Sequence, residues 1–510
     1  VDKFKTKPMQ HQLKCLNEYG HREYFGLLAD MGTGKTWIIL NNFADLWQSN
    51  LCAAVLVLAP NGVHLNWTRL ELPQHMPDWV RYKTATWQAD MNKTEQRAFE
   101  QFMTRSAGEL RVFAMNWEAM STPRGFAAAE RFCITGSNLM IVADESDAVK
   151  NPNSIRTENL MKLKKYSRWR RIMTGTFVTQ APFDAFSQMS FLDEAILGTT
   201  SYFAFKAEYA EMIPAGSKFI RSIAEKANAS RRADGKRSIR KNMIQIVRKG
   251  PGGLPKYRNL DKLSRLIGPH VFRVLKSECL DLPPKVYKTV LFELTKQQKE
   301  VYKKAKVECR LVFENRETPF NKLVAVQKLA QITSGYFLHP EAEEPVRIPG
   351  ENPKLDLLVD RCKALRGNKI IIWARYRVEI ADIVARLREE GFNVVEYHGG
   401  TSMIDRVSAI ESFERGAADV WVGNQQAGGT GITLVAASYV IYFSNSFSLR
   451  DRLQSEDRAH RIGQTKSVTY LNLAGKGTVD ESAINSLLNK KDVAEMIMDF
   501  ERNLNDSSDF

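Results

Sequence analysis

"YFGLLADMGTGKTWIILNNFADLWQ", residues 24–48, joins an apolar run to a helical repeat through a turn that carries Gly32 and Gly34. "YFGLLAD" reads as a short buried strand. Beyond the turn, Ile39, Phe43, Leu46 and Trp47 recur at the spacing of one helix face. A glycine turn between strand and helix lets successive backbone N–H groups converge on an anion where the helix dipole already favours negative charge. In that reading Gly32, Thr33 and Gly34 form a phosphate cradle, Lys35 reaches the β- and γ-phosphates, and the Thr36 hydroxyl holds magnesium. The strict phosphate-loop pattern begins with glycine, and Ala29 stands there, so a glycine turn arising by chance is the competing reading. Either way the segment makes an α/β unit the first expectation.

The rest of the 510-residue chain repeats that pattern. Its length favours two to four domains. "AAVLVLAP", "LRVFAMN", "LMIVADE" and "RRIMTG" read as buried strands of one parallel sheet, and "KIIIWA", "NVVEYHG", "ADVWVGN", "YVIYFS" and "SVTYLNLA" as those of a second. Turn-rich "KGPGGLPKY", "LDLPPK" and "PVRIPGENPK" separate the two series. "VEIADIVARLREEG" sets Ile380, Ile383, Val384 and Leu387 on one helical face and stops at Gly391. The expected division is a first lobe over residues 1–280 with a basic helical insertion near 205–270, a second lobe with its entry linker over 281–500, and a polar tail over 501–510.

No apolar run is long enough for a membrane span, and the first residues lack the apolar core of a secretory signal. The six cysteines show no paired short spacing, which argues against a zinc knuckle or disulfide framework and for a reducing, cytoplasmic setting. Lys and Arg outnumber Asp and Glu by 73 to 58, a formal charge of +15 suited to a polyanionic partner or simply to a soluble basic surface. Eleven of these cations crowd between Lys218 and Lys249 against Glu225 and Asp234 alone. That run reads as a solvated face or as a contact to backbone phosphates.

Chemistry gathers at two further places. The strand "LMIVADE" ends in Asp144 and Glu145, where parallel sheets present functional groups: one carboxylate suits magnesium, the other an attacking water. Near the C-terminus, "QSEDRAHRIGQ" spaces Gln454, Arg458 and Arg461 as if one helical face carried all three. Paired guanidiniums suit a transferring phosphate, but a surface helix with salt bridges to Glu456 or Asp457 is an equal reading. "NQQAGGTGITL" is open in the same way, between close approach to phosphate and a tight turn.

Taken in order, these segments resemble the Swi/Snf-type ATPases of helicase superfamily two over nearly the whole chain, in a compact form similar to stand-alone bacterial or phage relatives. "ADMGTGKT" looks like motif I, in which alanine commonly replaces the first glycine, and Gln12 in "PMQHQLKCL" like the adenine-reading glutamine, with Gln10 the other register. "VLVLAPNGVHLNWTRLEL" resembles motif Ia with an asparagine-tryptophan extension, "VFAMNWEAM" motif Ib, "VADESDAVKNPNS" the acidic box, and "RIMTGTFVTQAPFDAFSQMSFL" motif III. "KIIIWA", "YHGG", "AGGTGITL" and "QSEDRAHRIGQ" resemble motifs IV to VI. Each motif is weak singly; jointly they are specific.

The resemblance implies two RecA-like parallel-sheet lobes in tandem, with ATP and Mg2+ in the cleft between them and sequence-independent double-stranded DNA across both. Lys35, Glu145, Arg458, Arg461 and Gln454 would serve hydrolysis, and Gln12 with residues 32–36 would bind nucleotide. Thr36 and Asp144 would hold the metal. Asn61, Asn116, Trp117, Arg375 and Thr430 would track nucleic acid; local capping or core packing is the other reading, and for Trp117 the core stands level with DNA. Asp147, Thr174 and Thr176 would couple hydrolysis to motion. Asp147 replaces the usual histidine of the acidic box and Phe177 the usual proline of motif III. The implied activity is a DNA-stimulated ATPase, monomeric on DNA, that translocates on duplex and displaces or remodels what is bound there; the setting would be cytoplasmic, or nuclear in a eukaryote. A helicase or branch-migration enzyme, and a non-hydrolysing DNA-binding scaffold, are the alternatives.

Overall fold

The computed structural model describes residues 3–104, 108–233, 244–249, 255–314, 319–337, 346–426 and 432–490. The chain forms two compact units that divide between Cys279 and Leu280.

The first unit is built on seven strands: β1 (Tyr24–Ala29), β2 (Ala54–Ala59), β3 (Tyr82–Thr86), β4 (Leu110–Asn116), β5 (Leu139–Asp144), β6 (Ser167–Thr174) and β7 (Val271–Val274). They lie side by side in the order β3-β4-β2-β5-β6-β1-β7, and every neighbouring pair is parallel. Helices cover both faces, so the inner strands have no polar side. In β2, Ala54, Leu56 and Leu58 join one buried cluster while Val55, Val57 and Ala59 join the other. Period-two alternation thus feeds two cores, and the run reads as continuously apolar.

The second unit repeats the plan with β8 (Lys285–Phe292), β11 (Ile370–Trp373), β12 (Val394–Tyr397), β13 (Val420–Gly423), β14 (Tyr439–Tyr442) and β15 (Val468–Gly475). Their order is β12-β13-β11-β14-β15-β8, again all parallel. A separate two-stranded ribbon pairs β9 (Tyr336–Phe337) with β10 (Val346–Arg347) in antiparallel register. Ile370, Ile372 and Ala374 enter one core and Ile371 with Trp373 the other. The helix Arg377–Glu389 buries Ile380, Ile383, Val384 and Leu387 and ends ahead of Gly391, whose φ of 77° reverses the chain.

Between β6 and β7 lie the helices Tyr202–Tyr209 and Lys218–Ala233, with isolated bridges Ala210–Tyr257, Met212–Val247 and Lys249–Pro255. The basic run is therefore helical at its start and bridged near its end, rather than a loop throughout. Its middle, residues 234–243, lies outside the described residues.

Candidate functional site

In the first unit the turn after β1 is held from several sides. Thr33 donates from both its backbone N–H and its hydroxyl to the Asp30 carbonyl, and Asp30 in turn accepts the Lys276 N–H at its carboxylate. His11 Nε2 lies 2.8 Å from the Thr33 carbonyl. Gly32 and Gly34 have φ of 81° and 79°, the left-handed region that side chains resist. Gln12 is buried, accepting from Met9 N–H at 2.8 Å and donating to the Gly34 carbonyl at 3.4 Å. Gln10 is exposed, so of the two registers only Gln12 faces the turn.

The helix Lys35–Gln48 begins at this turn with no side chain capping it. Its first N–H groups have no carbonyl one turn back and are available to an anion. Lys35 folds back over the loop, Nζ donating to the Ala29 carbonyl at 2.8 Å and the Asp30 carbonyl at 3.4 Å. A Cβ on Gly175, at the end of β6, would stand 3.7 Å from Lys35 Nζ and 3.4 Å from the Ala29 carbonyl. The end of β6 thus lies against the loop and Lys35.

Asp144 and Glu145 leave β5 two strands from β1, with β6 between them. Asp144 is 4 % exposed, and its Oδ2 accepts from the Trp67 indole N–H at 2.9 Å. Burial, and then the Glu145 carboxylate, push its carboxyl up to about 7, against Trp67 and Lys35, which pull it down. Glu145 sits in a left-handed conformation, φ 48°, which turns its side chain away from the strand direction. Its Oε2 accepts from the Thr174 hydroxyl at 3.2 Å, and the same hydroxyl accepts the Thr176 N–H at 2.9 Å. Ser146 donates to Gln188 Oε1 at 2.6 Å, and Gln188 Nε2 donates to the Phe177 carbonyl. Acidic strand end and β6 turn are thereby tied by two buried routes. Phe177 fills the first core with its ring where a proline was expected, and Asp147 is buried in the turn Ser146–Val149.

The buried Asp144 carboxyl pushed upward, the Glu145 carboxylate beside it, one hydroxyl on the helix start and a lysine over a glycine turn form an oxygen-donor set suited to a cation. That set fits magnesium with a nucleotide polyphosphate. Among the described residues no cluster of three His, Cys, Asp or Glu side chains suggests another metal centre. No described helix is long and apolar enough to cross a membrane.

Other expected residues fall differently. Trp117 is 1 % exposed and donates to the Asp144 carbonyl at 2.8 Å, so the core alternative applies and the nucleic-acid assignment is withdrawn. Asn61 is exposed, and Asn116 is half-buried with its Oδ1 unpaired among the described residues. In the second unit Arg375 stacks its guanidinium against the rings of Tyr376 and Phe447, 5.5 and 5.2 Å from their centroids, and its backbone N–H reaches Glu379 and Ser444. Thr430 and the glycines beside it lie outside the described residues.

The single helical face expected for Gln454, Arg458 and Arg461 is corrected. The helix Leu449–Glu456 ends before either arginine, and the chain continues in turns with Gly463 at φ 101°. The side chain of Gln464 fixes these turns, donating to the carbonyls of Val435, Ala437 and Ala459. Both arginines nevertheless converge on one strip of backbone: Arg458 donates to the Ile432 carbonyl at 3.1 Å and Arg461 to the Thr433 hydroxyl at 2.9 Å. Gln454 is buried on the helix itself.

Sequence reading missed Trp67, Gly175 and Gln188. Trp67 lies in the asparagine-tryptophan extension beyond β2, and Gly175 and Gln188 lie within the motif III stretch, but the contacts that give all three their roles join distant parts of the chain.

Comparison with known proteins gives the SNF2-related domain family over residues 11–337 and the helicase conserved C-terminal domain family over residues 353–463. An uncharacterized ATP-dependent helicase of Mycoplasma genitalium is 22% identical over 93% of this chain and 40% of its own length. The chromatin remodeling factor mit1 of Schizosaccharomyces pombe is 23% identical over 98% of this chain and 34% of its own. A putative ATP-dependent helicase/translocase of Bacillus subtilis is 23% identical over 93% and 46%. The chain thus spans about a third to a half of these relatives. Bacterial and eukaryotic proteins stand at similar identity, so no bacterial or phage subtype is assigned. Among solved structures, the Sulfolobus solfataricus SWI2/SNF2 ATPase core in complex with dsDNA aligns over 98% of this chain and 96% of its own, at 23% identity and a TM-score of 0.41.

Proposed function

The chain belongs to the SNF2-related family, which covers it over residues 11–337, and from that premise we infer that it hydrolyses ATP when bound to double-stranded DNA and uses the cycle to translocate. The observation that carries this reading is the meeting, in the first unit, of the Lys35 loop with the buried Asp144 and Glu145 strand end. The loop N–H groups and Lys35 bind the β- and γ-phosphates, and Gln12 orients the turn beneath them. Thr36 and Asp144 hold magnesium, which neutralises phosphate charge when bound. Glu145, held by Thr174, orients the water that attacks the γ-phosphate. In the second unit Arg458 and Arg461 offer two guanidiniums suited to stabilising charge on a transferring phosphate. The Asn61 and Arg375 side chains and the basic run beginning at Lys218 supply contacts to the DNA backbone.

Binding of this kind reads charge and phosphate spacing, not bases, so affinity falls steeply with salt and does not depend on sequence. Phosphate release measured with and without duplex tests it. Expected are stimulation by duplex of any sequence and loss of turnover, with ATP still bound, in Glu145→Gln. An unchanged rate with and without DNA contradicts the reading.

A further inference from the structure

Two indoles close on Asp144 from opposite ends. Trp67 Nε1 donates to the carboxylate Oδ2 at 2.9 Å, and Trp117 Nε1 donates to the backbone carbonyl of the same residue at 2.8 Å. Both rings are buried to about 1 % exposure. Trp67 comes from the short helical segment Trp67–Glu71 beyond β2, Trp117 from the end of β4, and neither is near Asp144 in sequence. The two bonds do different things. Trp117 fixes where the strand end stands, whereas Trp67 fixes how the carboxylate is turned and which oxygen is free.

We propose that Trp67 is a positioning residue for magnesium: by engaging Oδ2 it commits Oδ1 of Asp144 to the cation and holds the carboxylate in the rotamer that meets it. This rests on the ATP-site reading above. A ligating carboxylate that lacks such a partner rotates, and loss of a partner hydrogen-bonded to a metal ligand typically weakens metal binding about ten- to a hundredfold. Burial strengthens the effect here. A carboxylate only 4 % exposed depends largely on its protein donors, and a hydrogen bond to a charged group outweighs a neutral one.

Trp67→Phe removes the N–H and keeps most of the ring; Trp117→Phe does the same to the backbone bond and is the control. Affinity for a fluorescent ADP is measured in EDTA and in excess magnesium, with folding followed by circular dichroism on the same samples. Wild type is expected to gain affinity with magnesium. Trp67→Phe is expected to bind as wild type in EDTA, within about twofold, and to lose about tenfold of the magnesium-dependent gain. Trp117→Phe is expected to keep that gain while melting at a lower temperature. Competition of magnesium with Mn2+, read by electron paramagnetic resonance, should show the same weakening in Trp67→Phe without reference to turnover. Trp67→His, which retains a ring N–H, recovers part of the gain, and Trp67→Leu, which also lacks the donor, takes the place of Trp67→Phe should that variant not fold. An undiminished magnesium gain in folded Trp67→Phe, or an equal loss in Trp117→Phe, overturns the proposal. A wild type with no magnesium-dependent gain instead overturns the ATP-site reading on which it stands.

Discussion

Adding one methyl group at Gly34 tests the architecture of the phosphate turn. A Cβ there would stand 2.2 Å from Gln12 Nε2, and the backbone φ of 79° is one that alanine resists. The left-handed conformation alone costs about 1–2 kcal/mol. The steric conflict adds the displacement of Gln12, whose bonds to Met9 N–H and the Gly34 carbonyl contribute about 1 kcal/mol each. Gly34→Ala should therefore destabilise the first unit by about 3 kcal/mol, and Gln12→Ala by about 2 kcal/mol. The double variant has no glutamine to displace, so its cost should fall about 2 kcal/mol short of additivity. Urea unfolding of the full chain measures this, with hydrogen exchange in the helices Gln10–Tyr19 and Lys35–Gln48 tying the readout to this unit. Additivity to within about 0.5 kcal/mol would refute the claim that Gln12 and Gly34 form one packed element.

Replacing Arg458 or Arg461 by Lys should lower hydrolysis about a thousandfold or more while leaving duplex affinity within about twofold, because a point charge does not reproduce a guanidinium fork; steady-state phosphate release and a DNA-binding titration check the pair of outcomes. Glu456 gives a pH dependence. Burial by itself would raise its carboxyl, but Lys285, then Arg452, with hydrogen bonds from Arg452 and Tyr287, hold it at about 2 against an ordinary 4.5. A depressed carboxyl contributes stability that is complete above the unfolded value and is lost as pH falls from about 4.5 through about 2, so the urea midpoint should drop across that window. Glu456→Gln should flatten the drop and cost about 3–5 kcal/mol at neutral pH, since Arg452 stays buried without its anion while Lys285 retains Asp457.

The inner strands were legible because they are buried on both faces, which leaves an uninterrupted apolar run in β2, β5 and β11. Of the border strands, β12 was read in "NVVEYHG", whereas β3, β7 and β8 were not. β3, "YKTAT", has no fully buried side chain and β8, "KVYKTVLF", shows mostly exposed ones, and both keep their place through backbone pairing to a single neighbour. The glycine turn and acidic strand end announce themselves because phosphate and magnesium chemistry demand particular residues at particular spacing. The end of the helix at Glu456 did not, since Arg458 and Arg461 continue a helical spacing while Gln464 draws the chain into turns from outside that window. Trp67 was hidden for a related reason: its bond to Asp144 spans 77 residues and depends on strand order.

Movement along intact duplex is read by the displacement of a triplex-forming third strand. With ATP and duplex flanking the triplex, the third strand should be released faster than its spontaneous rate, for any flanking sequence, and Glu145→Gln should release none above that rate. A forked duplex in the same buffer should stay paired. Release of the forked strand with no displacement of the third strand would contradict translocation on duplex and assign the cycle to strand separation instead.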